Sequence, residues 1–223
     1  MEDVRAYEEL RVGFTAAVSH ELRTPLARLL ALLDSAALPG ADRDSLLTQA
    51  REQVEEMGEL VDDVLFLAEL ESGREVVSLG VTPALPVLEE VRNRLADSAE
   101  RADVDVIIDA PAEVELPLRR RMLAIVAENL AANSIRYAGP GATLTLRARP
   151  GLLEAEDDGR GVDEEELVRV FERFYRSDRA RASRGTGLGL AIVKHVVASA
   201  GGQVAAAGGP GRGLRITCRF PVP

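Results

Sequence analysis

Apolar positions in the first seventy residues recur at helical intervals. Phe14, Val18, Leu22, Leu26, Leu29 and Leu33 step by three and four, which predicts a long helix over about 5–36. Leu38-Pro39-Gly40 signals a turn. Asp42 or Asp44 suits the cap of a second helix over about 43–71. In that helix Leu47, Ala50, Val54, Met57, Val61, Val64 and Ala68 alternate the same steps, as a heptad seam does. Its outer side is acidic (Glu52, Glu55, Glu56, Glu59, Asp62, Asp63), either a solvated face or a docking surface for a partner protein. Two antiparallel helices on a short turn make a hairpin, and one hairpin cannot bury both stripes. Pairing two copies into a four-helix bundle solves this, so a homodimer is predicted. Residues 1–11 are charged and read either as the end of a helix that continues upstream in a longer protein or as a natural start.

The period changes after Ser72-Gly73. Residues 83–101 and 118–137 carry helical spacing, through Leu85, Leu88, Val91 and Leu95, then Leu123, Val126, Leu130 and Ile135. Val104 to Ile108, Thr143 to Arg147, Leu152 to Glu156, Gln203 to Ala207 and Leu214 to Phe220 read as strands. A short helix is expected over 163–170 and a longer one over 187–200. Hairpin-linked strands mixed with helices suggest a two-layer α/β sandwich. The expected organisation is a helical hairpin over 1–72, a linker over 73–81 and a second domain over 82–223.

Composition narrows the partners. A net charge of -10 disfavours nucleic acid and anionic membrane surfaces. The single cysteine, Cys218, excludes an intrachain disulfide and fits a reducing cytoplasm. It sits in an expected strand and reads as buried and inert. No run reaches the roughly 18 apolar residues of a membrane span, and no signal peptide is expected at the start.

Candidate chemistry is concentrated in a few stretches. In Ser19-His20-Glu21-Leu22-Arg23-Thr24-Pro25-Leu26, His20 projects roughly 175° from the apolar stripe at about 100° per residue. Thr24 lies one turn above it. Pro25 removes the partner of the Glu21 carbonyl, which predicts a bend there, and a bend beside an exposed His and a carboxylate is a cost that packing alone does not explain. Taken by itself, an outward histidine is most often a solvated side chain. In Glu128-Asn129-Leu130-Ala131-Ala132-Asn133-Ser134-Ile135-Arg136-Tyr137, Asn129 and Asn133 share a helix face. Their amide oxygens either face water, as two asparagines alone often do, or suit Mg²⁺, with Arg136 and Tyr137 in reach of the same pocket. Asp157, in Glu156-Asp157-Asp158-Gly159-Arg160-Gly161, is a carboxylate at a strand's mouth. It is either an ordinary Asp-Gly turn or an acceptor for an exocyclic amine, with Gly159 and Gly161 letting a flat ring lie close. Gly185-Thr186-Gly187-Leu188-Gly189 opens a helix, where free backbone N–H groups suit phosphate oxygens. The loop bearing Arg179, Arg181 and Arg184 reads as a basic lid or as solvated surface. His195, the other histidine, reads as structural or surface.

Together, in this order, the stretches resemble the two-component sensor histidine kinases over nearly 10–223. His20 to Leu26 resembles the phosphoacceptor H box, and Asn129 to Tyr137 the N box. Asp157 to Gly161 is similar to the G1 box, Phe171-Glu172-Arg173-Phe174-Tyr175 to the F box, and Gly185 to Leu190 to the G2 box. Arg136 stands where Lys is common, and Ala200-Gly201-Gly202 replaces a frequent His-Gly-Gly.

The resemblance implies a dimeric phosphotransfer hairpin followed by the Bergerat (GHKL) ATP-binding fold. It implies that Asp157 binds the adenine amine, that Asn133 and Asn129 coordinate Mg²⁺, and that Tyr137 lies near adenine or ribose. Arg136, Gly159, Gly161, Arg173, Thr186, Gly187, Leu188 and Gly189 join the nucleotide contacts. The expected activity is a protein histidine kinase. His20 attacks the γ-phosphate of ATP, and Glu21 takes or orients the proton on the other ring nitrogen. The phosphoryl group then passes to an aspartate of a response-regulator receiver domain, and Thr24 places water for a phosphatase reaction. The expected location is the cytoplasm, including the cytoplasmic part of a membrane-anchored receptor. Two other readings stand beside it: a GHKL-type ATPase, and a nonenzymatic ATP-responsive dimer that binds a regulator.

Overall fold

The structure, a computed structural model, describes residues 2–72, 80–176 and 185–221, with side chains from residue 17 onward apart from 71. The chain forms two compact units, Met1–Phe66 and Leu67–Pro223. The expected 73–81 linker and the basic loop at 177–184 fall largely or wholly outside the described residues.

The first unit is built from α1 (Glu2–Ala36) and most of α2 (Arg43–Glu71). The helical period thus gave both spans closely. Helix α1 runs through Pro25 without interruption. Of the two candidate caps it is Asp42 that serves: its Oδ1 accepts the Ser45 N–H at 3.2 Å. The Arg43 guanidinium donates to the Ala36 carbonyl at 3.2 Å, satisfying one of the open acceptors at the end of α1. The apolar stripes are not sealed within one chain. Leu26 and Leu33 of α1 are each 46% exposed, and Leu47 and Val54 of α2 are 54% and 55% exposed. Ala50 and Leu60 are buried instead. The heptad seam is therefore only partly used by the single hairpin.

The second unit contains β1 (Thr82–Pro83), α3 (Ala84–Arg94), α4 (Ala96–Ala102), β2 (Val104–Asp109), β3 (Glu115–Leu116), α5 (Arg120–Tyr137), β4 (Ala142–Arg149), β5 (Leu152–Asp157), α6 (Gly189–Ser199), β6 (Gln203–Gly208) and β7 (Leu214–Arg219). Five strands form one sheet in the order β2-β4-β5-β7-β6. The β2–β4 pair is parallel and the others are antiparallel. Helices α3, α5 and α6 form the second layer, giving a two-layer α/β sandwich.

Three local expectations change. The helix expected over 83–101 is two helices, parted at Leu95. The helix expected over 163–170 is only one 3-10 turn, Glu164–Glu166. Val168 is 81% exposed there and Leu167 and Val170 are only half-buried, so little packing is available to extend the helix. A two-residue antiparallel pair, β1 with β3, was too short to show a period. It is pinned by the Thr82 hydroxyl donating to the Leu118 carbonyl at 2.7 Å.

Alternation along the strands separates two chemistries. Leu144, Leu146, Ala148, Leu153, Ala155, Ile216 and Cys218 are buried on the helix side. The other side carries an ion-pair ladder. Arg147 bridges Asp109 and Glu154 at 2.9 and 2.6 Å, and Arg149 reaches Asp109 at 2.7 Å. Arg149 and then Arg147 hold the Asp109 carboxyl below its ordinary range. In the alternation Asp157 shares parity with Leu153 and Ala155, so this carboxylate lies on the helix side at the end of β5.

Candidate functional site

The C-terminal half of α5 gathers the segments that chemistry singled out. Its 3.6-residue period buries Leu123, Val126, Leu130 and Ile135 and brings Ser134 to the inner face with them. There the Ser134 hydroxyl donates to Asp157 Oδ2 at 2.9 Å. Asp157 Oδ1 accepts the N–H of Gly159 at 3.1 Å and of Leu214 at 3.2 Å. Three donors thus hold a carboxylate that is only 4% exposed. Burial pushes the Asp157 carboxyl above the ordinary aspartate range. The Ser134, Gly159 and Leu214 bonds pull it back, and the neighbouring Asp158 charge adds a smaller upward push.

Asn129 and Asn133 lie one turn apart on α5, both half-buried. The Asn129 amide N–H donates to the Ile125 carbonyl at 2.9 Å. Its Oδ1 turns toward Gly189, the first residue of α6: a Cβ on Gly189 would sit 2.5 Å from that oxygen. A larger residue there would push α6 off the asparagine. Further along α5, Arg136 and Tyr137 border Gly185. A Cβ at Gly185 would lie 2.6 Å from Arg136 Nη1 and 3.0 Å from Tyr137 Oη. The turn between is also tied down. Leu188 N–H donates to Thr186 Oγ1 at 3.2 Å, and Leu188 is fully buried. Gly187 has φ +70° and accepts the Phe174 N–H at 3.0 Å, where only glycine's conformational freedom lets the two turns nest.

The aromatic turn before the undescribed loop is braced from its own side. Tyr175 Oη donates to Glu166 at 3.0 Å, and the Arg169 guanidinium stacks 4.3 Å from the Tyr175 ring centroid. Burial and that carboxylate raise the Tyr175 phenol above its ordinary range. Arg173 is half-buried in the same turn.

Gly159 and Gly161 gain a reason that local sequence did not show. A Cβ on Gly159 would fall 2.4 Å from the Ala138 carbonyl oxygen at the end of α5. One on Gly161 would fall 2.0 Å from the Gly209 carbonyl oxygen, in the turn joining β6 to β7. Both permit close packing of the chain on itself. Sequence reasoning missed Ser134 and the Leu214 amide. A serine directly after an asparagine in an apolar helix face was the one available signal for the first, and nothing local marks the second.

His20, Glu21 and Thr24 belong to the other unit. His20 and Thr24 are exposed on α1 and Glu21 is partly buried, while Pro25 beside them is buried. Cys218 is fully buried in β7, with its thiol pushed up to about 12 by burial. His195 is half-buried on α6.

Comparison with known proteins adds independent findings. Residues 10–73 match the family model described as His Kinase A (phospho-acceptor) domain. Residues 119–223 match that described as Histidine kinase-, DNA gyrase B-, and HSP90-like ATPase. The Sensor-like histidine kinase SenX3 of Mycobacterium tuberculosis (strain H37Rv version) is 34% identical across 98% of this chain and 56% of its own length. The Phosphate regulon sensor protein PhoR of Pseudomonas aeruginosa is 34% identical across 97% of this chain and 51% of its own. The chain therefore spans about half the length of the curated relatives it matches. Among solved structures, the Acinetobacter baumannii histidine kinase AdeS shares the fold, with TM-score 0.73 at 24% identity over 91% of this chain and 98% of that one. ShkA, solved full-length in complex with AMPPNP, gives TM-score 0.62 at 28% identity over 92% of this chain and 45% of that one.

Proposed function

Because the chain belongs to the two-component sensor histidine kinases, we propose that it is the catalytic core of one, phosphorylating His20 from ATP and passing the phosphoryl group to a receiver-domain aspartate. A ring nitrogen of His20 attacks the γ-phosphorus in line. A P–N bond forms, the bond to the β,γ-bridging oxygen breaks, and ADP leaves. Glu21, the adjacent carboxylate, takes or orients the proton on the other ring nitrogen, which raises the nucleophilicity of the first. Thr24, one turn away, places water for hydrolysis of the regulator's phosphate.

The nucleotide lies along α5. Asp157 accepts from the adenine amine, Tyr137 lies near adenine or ribose, and Arg136, Gly159, Gly161, Arg173, Thr186, Gly187, Leu188 and Gly189 line the remainder. Among the described residues no three His, Cys, Asp or Glu side chains cluster as a metal site. A divalent cation here would draw on amide oxygen, water and phosphate, the hard donors Mg²⁺ takes. The Asn129 oxygen already faces the start of α6, which fits that donor set. Asn133 and Asn129 would hold Mg²⁺, which offsets charge on the transferring phosphate. The half-open stripes of α1 and α2 support pairing of two hairpins through 1–72, with 82–223 as the catalytic domain after a linker. No helix among the described residues is long and apolar enough to cross a membrane. The proposed location is the cytoplasm, including the cytoplasmic part of a membrane-anchored receptor, and it rests on the kinship with sensor kinases.

One observation carries the reading: α5 holds Asn129 against the glycine turn at Gly189 and its serine against Asp157. Three segments far apart in sequence thereby serve one nucleotide. The test is incubation with γ-labelled ATP. Acid-labile, base-stable label is expected on the protein and none on His20→Gln. Label that persists on His20→Gln defeats the assignment of the acceptor. Unchanged ATP affinity in Asn133→Ala removes that residue from the site.

A further inference from the structure

The carboxylate of Asp157 offers about four acceptor positions, two on each oxygen. Oδ1 uses both on the Gly159 and Leu214 amides. Oδ2 gives one to the Ser134 hydroxyl, which leaves one. We propose that Ser134 is a positioning residue: its hydroxyl fixes the plane of the Asp157 carboxylate so that the last acceptor position on Oδ2 receives a single N–H of an exocyclic amine. This rests on the reading that Asp157 recognises adenine, and it names what gives that recognition its selectivity.

The hydroxyl's choice of partner supports the role. A serine inside a helix ordinarily bonds back to the carbonyl four residues earlier or turns to water. Ser134 is only 4% exposed and instead reaches across 23 residues of sequence to the carboxylate. The two backbone amides both hold Oδ1 and so leave rotation about the Cβ–Cγ bond restrained at one oxygen only. The hydroxyl supplies the restraint at the other. Without it, a carboxylate held at one edge samples orientations in which the free lone pair no longer points at the amine, and directional bonds weaken steeply off axis.

The experiment compares two nucleotides on the whole chain. One is ATP. The other is purine riboside triphosphate, which lacks the 6-amino group and keeps the ring, sugar and phosphates. Wild type is expected to prefer ATP. Ser134→Ala is expected to lose about tenfold in ATP affinity, the scale of one hydrogen bond to a charged group, with affinity for the analogue unchanged. Ser134→Thr, which keeps the hydroxyl, is expected to restore the preference. Equal loss of both nucleotides in Ser134→Ala would mean a general packing role and would overturn the proposal. A full preference for ATP retained in Ser134→Ala would also overturn it while leaving the adenine reading of Asp157 intact. Absence of any preference in wild type would instead sink the adenine reading itself, and this inference with it.

Discussion

Replacing Asp157 by Asn separates the proposed work of this carboxylate in binding from its role in the fold. The two side chains are nearly isosteric. The Asn oxygen can keep the Gly159 and Leu214 amides, and its NH₂ takes the place of Oδ2. Ser134, whose hydroxyl both donates and accepts, can turn to accept from that NH₂. The internal hydrogen bonds therefore survive in number, and a charge buried at 4% exposure is gone. The free protein should melt at the same temperature or slightly higher. Binding behaves differently. The bond lost is one to a charged acceptor, about 1.5–3 kcal/mol, and the variant now opposes an NH₂ to the ligand's amine, leaving a donor unsatisfied at about 1–3 kcal/mol more. Together these amount to roughly 2.5–6 kcal/mol, or about 10²–10⁴-fold in affinity. Calorimetric titration with ATP, beside thermal melting without nucleotide, reads both quantities. Affinity within about threefold of wild type would refute the reasoning. A melting temperature that drops with the affinity would show that the carboxylate is needed for the fold rather than for the ligand.

Other expectations follow from the same geometry. The native Asp157 carboxyl titrates above its unfolded value, so between the two the native state holds a proton that the unfolded state has released. From this group, stability falls as pH rises through that window while ATP affinity rises. Glu90 and Asp109, held low by arginines, act oppositely, losing stability as pH falls. The difference between wild type and Asp157→Asn across an acid titration isolates the first effect; identical pH profiles would contradict it. Gly213 has φ +69° and its Cβ would sit 1.7 Å from the Asp157 carbonyl oxygen, whereas Gly141 has φ +77° with nothing within 4 Å. Urea unfolding should give Gly141→Ala a loss of about 1–2 kcal/mol from backbone strain alone. Gly213→Ala should add roughly 1–3 kcal/mol of overpacking, and equal losses would dispute the packing. Leu33→Asp and Val54→Asp should shift sedimentation toward the single chain, since a half-exposed Leu or Val recovers about 1 kcal/mol when a partner covers it. An unchanged sedimentation profile would place the paired face elsewhere. The Cys218 thiol, pushed up to about 12 in a buried strand, should resist alkylation at neutral pH until the protein is unfolded.

Much of this molecule was legible in sequence because its elements are long and their periods clear. Helices α1, α2 and α5 and strands β4 and β5 each repeat a 3.6- or 2-residue pattern over enough residues to declare themselves. Asp157, the asparagine pair and the glycine turn could be picked out by residue type and spacing, since local geometry decides what such groups can present. Where the period was short or the face unburied, reading failed: the 163–170 helix shrinks to Glu164–Glu166, and β1 and β3 pass unseen. The heptad seam was visible, but whether one hairpin closes it was not, because burial depends on what stands opposite. Only the tertiary structure decided that Ser134 holds Asp157 and that Gly189 abuts Asn129. Those pairs lie 23 and 60 positions apart. A residue's periodicity reports the face it occupies; its partner is set by sheet order and helix packing, which no local pattern contains.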